Sequence, residues 1–190
     1  MMRPTSSVVG RVFRRGKIFA IRGVTMSRPR RIPGYAYLGV QRYFLTICTD
    51  RRQEFFRDDK AATMVIEQFL RTASEHDVAI VAYCVMPDHM HLLVDGLDDG
   101  AELLPFVKLA KQRAGYQFKQ EHGNVLWQKG YYEHVLRDEE QTEDVVLYII
   151  ANPVRKQLVL HILEYPYWGS SQYSRDALLH SIGLRSASRD

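Results

Sequence analysis

The chain has 190 residues, 46% of them hydrophobic, and 26 Lys and Arg against 22 Asp and Glu for a net charge of +4. That length and apolar content suit one domain with a real core, and no apolar run reaches the roughly 18–20 residues of a membrane span. The two cysteines, Cys48 and Cys84, lie in apolar strand-like runs; they read as buried free thiols in a reducing compartment, and a closed Cys-rich zinc site is not available. The first residues carry arginines but no sustained apolar stretch, so no signal peptide is expected and the location is expected to be cytoplasmic.

Charge is unevenly placed. Residues 1–42 hold ten of the basic side chains and no acid, which leaves the remainder at about −6. A basic arm on a mildly acidic body suits a polyanion partner, whereas translation from Met26 would remove six positive charges and bring the net to about −2. The expected organisation is a basic arm over 1–34, a domain over 35–175 and a tail over 176–190.

In chain order, Gln41 to Thr49 is rich in β-branched and aromatic residues and predicts a strand. Ala62, Met64, Val65, Phe69 and Leu70 recur at helical spacing and predict a helix from Asp58 or Asp59 to Ala73. Val78–Met86 and His89–Val94 predict two strands that turn at Pro87-Asp88. A second helix is expected from Ala101 to Gln120, buried through Leu104, Val107, Ala110, Ala114 and Phe118. Lys108, Lys111, Arg113 and Lys119 project elsewhere, either toward phosphates or into solvent. Tyr131–Leu136 predicts a fourth strand, and a third helix is expected from Glu139 to Asn152, stopped by Pro153. The tail Tyr165–Ser171 is aromatic and turn-rich. The order β-α-β-β-α-β plus a helix predicts an α+β, ferredoxin-like fold: an antiparallel sheet with its helices on one face and a further helix appended.

Two features carry chemistry. His89 and His91, one residue apart in a strand, share a face, where two imidazoles can grip one divalent ion or simply lie half-buried in the sheet. Tyr148 and Asn152, four apart on a helix, also share a face. Tyr148 can be a nucleophile or a core aromatic, and Asn152 a ligand or a helix C-cap. Asp88 reads as a turn residue. Trp127 and Trp168 suit either the core or stacking on unpaired bases.

The run Met86-Pro87-Asp88-His89-Met90-His91-Leu92-Leu93 closely resembles the His-hydrophobic-His motif of IS200-like single-tyrosine (HUH) transposases. Tyr43–Thr49 with Arg51, Arg52 and Phe55 resembles that family's first strand, Trp127–Arg137 the stretch before its catalytic helix, and Tyr148–Val154 the helix itself. The Asn152-Pro153 ending and the tail at 165–171 resemble the branch associated with repetitive extragenic palindromes (REP). The resemblance covers roughly residues 35–175. It implies a DNA-nicking and strand-transfer enzyme acting on single-stranded or hairpin DNA of palindromic repeats, as a monomer or homodimer, with no membrane. It further implies that His89, His91 and Asn152 bind Mg²⁺ or Mn²⁺ and that Tyr148 is the nucleophile. Candidates for DNA contact are Arg42, Arg51, Arg52, Lys108, Lys111 and Trp127. A hairpin-binding regulator without transposition, or a metal-dependent nuclease in which water attacks, would use the same motifs.

Overall fold

The computed structural model describes residues 41–136 and 142–184. The basic arm 1–34, the first residues of the expected domain and Glu139 lie outside them. The β-branched and aromatic runs form strands where their composition predicts: β1 (Arg42–Cys48), β2 (Val78–Met86), β3 (His89–Gly96) and β4 (Tyr132–Val135). A fifth, β5 (Trp168–Gly169), joins them in one sheet of order β4-β1-β3-β2-β5, with every neighbour antiparallel. The two-residue turn Pro87-Asp88 closes the β2–β3 hairpin at the pair Met86–His89 and so fixes the register of both histidines.

Side-chain alternation divides the sheet into two faces. Met90, Leu92 and Val94 of β3 meet α1 (Asp59–Ser74) and α2 (Leu103–His122). The Asp58 carboxylate caps α1 by accepting from the Lys60 amide at 3.1 Å, and Gly123, at φ +72°, ends α2 in the left-handed conformation that glycine adopts without strain. The other face, with Leu93 of β3, is covered by α3 (Thr142–Ile150) through Val146, Ile149 and Ile150. α5 (Arg175–Ser181) adds buried Leu178 and Leu179 to that layer. The sheet is therefore sandwiched, and the expected pair of helices on one face plus a separate helix is what positions the site on the second face.

Two sequence expectations change. The Tyr165–Ser171 stretch contributes a strand: Trp168 is fully buried, its indole N–H donates to the Ile162 carbonyl at 3.1 Å, and a Cβ at Gly169 would meet Tyr83 Oη at 2.9 Å, which only glycine avoids. Pro153 does not stop the third helix. The chain loosens at Ala151 (φ −80°, ψ −3°) and re-enters a helical turn, α4 (Asn152–Arg155), with Pro153 in the first turn. Proline is tolerated there because a first-turn N–H has no intrahelical partner to lose.

Candidate active site

Strand alternation and the tight hairpin bring His89 and His91 onto the α3 face of the sheet. The side chains are buried, at 8% and 5% exposure, and their Nε2 atoms lie 3.1 Å apart. Each Nδ1 is engaged from behind. Asp88 Oδ1 is 2.5 Å from His89 Nδ1, and Thr46 Oγ1, on the neighbouring strand at the Thr46–His91 pair, is 2.9 Å from His91 Nδ1. Asp88 is thus more than a turn residue. Its other oxygen takes the Arg52 guanidinium at 3.0 Å, and Arg52 also donates to Cys48 Sγ at 2.9 Å. Burial raises the Asp88 carboxyl, but the His89 hydrogen bond and the His89 and Arg52 charges outweigh it and hold the group below the usual carboxylate range. An ionised Asp88 only accepts, so His89 carries a proton on Nδ1 and its Nε2 faces His91.

Burial, and after it the charges of His89, Arg52, Arg155 and Lys156, depress the His91 pKa well below that of an ordinary imidazole, which keeps the ring neutral. Two bare Nε2 atoms facing each other at 3.1 Å would repel, and a proton or a cation between them removes that repulsion. Two ligand atoms held at roughly 2.1 Å from one ion and at about 90° are about 3.0 Å apart, so the pair has the span of adjacent positions on an octahedral Mg²⁺-like ion. Among the described residues no group of three or more His, Cys, Asp or Glu could hold a metal. A further protein ligand would have to be a side chain of another kind, such as an amide.

Tyr148 on α3 stands over this pair. Its ring is 5.7 Å from the His91 ring and 5.8 Å from Phe44, edge-on to both. Asn152, one turn on, is buried at 3% exposure on α4. Arg155, which sequence reasoning missed because it ended the helix at Asn152, lays its guanidinium over the Tyr148 ring at 4.5 Å. The spacing 148, 152, 155 is the signal that could have found it.

The remaining candidates are dispersed. Arg42 starts β1, at the end opposite the Cys48–His89 pair, roughly 20 Å along the strand at ~3.3 Å per residue; it binds Asp95 and the Thr142 hydroxyl. Arg51 is exposed beside Arg52, and both take positive φ (50° and 58°), a conformation costing of order 1 kcal/mol per non-glycine residue. Lys108 is exposed on α2, across the sheet from the histidines. Lys111 donates to the Gln128 and Gly130 carbonyls at 3.3 and 2.6 Å, and Trp127 is buried with its indole N–H on the Lys111 carbonyl. Lys108, Lys111 and Lys119 line one cleft between α2 and residues 125–131.

Over a matched region covering 70% of this chain, it is 28% identical to a Haemophilus influenzae protein named as a REP-associated tyrosine transposase, of which the match covers 80%. A second H. influenzae protein, of unassigned activity, is 24% identical over a region covering 70% of this chain and 91% of its own length. The fold matches that of a REP-associated tyrosine transposase solved bound to a REP hairpin, with a TM-score of 0.64, 23% identity, and coverage of 87% of this chain and 94% of that one. The family model described as Transposase IS200 like matches residues 40–152, more than half the sequence, and with the histidine pair and the tyrosine inside that span the chain belongs to the IS200-like transposase family.

Proposed function

We propose that this enzyme nicks single-stranded DNA beside a hairpin and transfers the strand through a covalent tyrosine intermediate, with His89, His91 and Asn152 holding a divalent metal. The observation that carries the reading is the placement of Tyr148 beside His91 of a buried His89–His91 pair whose Nε2 atoms converge at 3.1 Å. Tyr148 Oη attacks the scissile phosphorus. The Oη–P bond forms, the P–O3′ bond breaks, the phenol proton passes to solvent, and the departing 3′ oxygen takes up a proton to become a hydroxyl. The DNA is left joined by a 5′-phosphotyrosine. One phosphodiester replaces another, so the bond energy is retained and a later 3′-hydroxyl can attack the link and reseal without a nucleotide cofactor.

A bound Mg²⁺ or Mn²⁺ would supply charge neutralisation at the phosphate oxygens. The protein's own part is to keep both imidazoles aimed, and to seat the tyrosine against His91. Imidazole ligands favour Mn²⁺ somewhat over Mg²⁺. The hairpin held by the structural relative supports a REP-like hairpin as the substrate class here.

The test is purified protein with labelled hairpin-bearing single strands and Mn²⁺, resolved on a denaturing gel. A covalent adduct that requires both metal and Tyr148 is expected. Cleavage that survives Tyr148→Phe would transfer the attack to water, and binding without cleavage would leave a hairpin-binding regulator.

A further inference from the structure

Tyr148, Asn152 and Arg155 form one stripe at helical spacing, and it survives the break at Ala151. The Ala151 amide donates to the Leu147 carbonyl and the Arg155 amide to the Ala151 carbonyl, each at 3.0 Å, so α3 and α4 keep their phase. Arg155 is consequently stacked on the face of Tyr148, with its guanidinium carbon 4.5 Å from the ring centroid.

Its charge is otherwise uncommitted. Arg42, Arg52, Arg57, Arg71 and Arg113 each pair with a carboxylate, and Arg175 donates to two backbone carbonyls. Arg155 has no carboxylate within ion-pairing distance among the described residues, nor has Lys156 beside it; both are exposed. A guanidinium held over a ring by its cation–π contact still has N–H groups to offer, and its fork matches two oxygens of a phosphate.

We propose that Arg155 is a phosphate-binding residue of the strand-transfer site: it grips a backbone phosphate of the DNA at the scissile linkage while its contact over the ring holds Tyr148 in place. The assignment rests on the proposed tyrosine chemistry and names a second contact that this chemistry uses. A cation beside the phosphate stabilises the charge that builds on its oxygens as the Oη–P bond forms, and removal of one such preorganised donor typically costs about 10²–10³ in rate. Lys156 adds charge nearby without a ring to fix it.

The experiment measures single-turnover formation of the covalent adduct with Mn²⁺ on a hairpin-bearing strand, comparing wild type with Arg155→Met, Arg155→Lys and Tyr148→Phe. Met keeps the aliphatic cover of the ring and Lys keeps the charge. Each protein is also given a strand with an uncharged methylphosphonate at the scissile linkage, and equilibrium binding of both strands is followed. At saturating DNA, Arg155→Met is expected to slow adduct formation by about 10²-fold and Arg155→Lys by about tenfold. The methylphosphonate should slow wild type markedly but leave Arg155→Met nearly unchanged, a non-additivity that a purely structural role would not produce. Adduct formation by Arg155→Met within about twofold of wild type overturns the assignment alone. So does a loss that is equal on charged and neutral strands. A wild-type protein that forms no adduct, like Tyr148→Phe, overturns the transfer chemistry and this assignment together.

Discussion

Asp88→Asn tests whether the histidine pair is a prepared metal site or two sheet residues. In the wild type the carboxylate accepts from His89 Nδ1 at 2.5 Å and from Arg52 at 3.0 Å, and its side chain is 24% exposed. The ionised acid can only accept, so it locks His89 with Nε2 free. An amide keeps the shape but loses the charge, and it can present its NH₂ to Nδ1, which moves the ring proton to Nε2 and blocks the ligand position. Loss of such a supporting partner lowers metal affinity typically 10–100-fold, or about 1.4–2.8 kcal/mol at 1.4 kcal/mol per tenfold. The assay is calorimetric titration of the metal-free protein with Mn²⁺, with His89→Ala as the limit. An Asp88→Asn affinity within twofold of wild type, alongside clear loss in His89→Ala, would refute the tautomer argument.

Three more outcomes are expected. Burial depresses the Lys111 amine to a pKa of about 8, so between pH 8 and its ordinary 10.5 the unfolded chain holds a proton that the folded chain has released. Stability therefore gains from this group as pH rises through that window, by at most about 1.4 kcal/mol per unit, and denaturant titrations should show a flatter profile there for Lys111→Met; an unchanged slope refutes the burial argument. Lys108 and Lys119 flank the α2 cleft of about 800 Å³; if DNA lies there, replacing both with Ala should weaken binding about equally for all sequences and reduce the salt slope by about 1.5, whereas an unchanged slope takes the cleft off the DNA path. Because Tyr148 lies over His91 of its own chain, a mixture of Tyr148→Phe and His91→Ala proteins should form no adduct; restored activity would mean that partners exchange the tyrosine helix.

What was legible in the sequence follows from period. The two-residue repeat of β3 put His89 and His91 on one face, and the hairpin turn before them set where that face would lie. The Asp58 cap and the apolar spacing of Ala62, Val65 and Phe69 gave α1 nearly to the residue. Contacts between distant segments left no such trace. Thr46 and His91 meet only because β1 pairs with β3 in one register, and Arg52 reaches Asp88 only through two left-handed residues that no propensity favours. Trp127 suited either the core or base stacking and Lys111 either phosphates or solvent; Trp127 is packed against Phe56 and Phe69 while Lys111 ties down the loop beside it. The largest oversight was at Pro153. Treating proline as a stop was sound for a helix interior, but the chain treats it as a new first turn, and Arg155 comes with that turn.

The two halves of the site are built on different physics. The histidines belong to β3, which is paired along its length with β1 and β2 and buried apart from Asp95, so their spacing is set by backbone hydrogen bonds and can change only with the register. Tyr148 owes its place to packing. α3 has nine described residues, below the length at which an isolated helix holds together in water, and it is kept on the sheet by burying Val146, Ile149 and Ile150 against Phe44, Ala82 and Cys84. Three such side chains contribute at most roughly 5–9 kcal/mol at 1.5–3 kcal/mol each, an upper bound because the unfolded chain already hides part of their surface. Tyr148 therefore stands on the softer element and the two histidines on the stiffer one. Local opening of α3 would withdraw Tyr148 and leave the His89–His91 spacing intact. Under the proposed transfer, a covalent intermediate that has to be formed, held while a second strand arrives, and then resolved would be well served by that division.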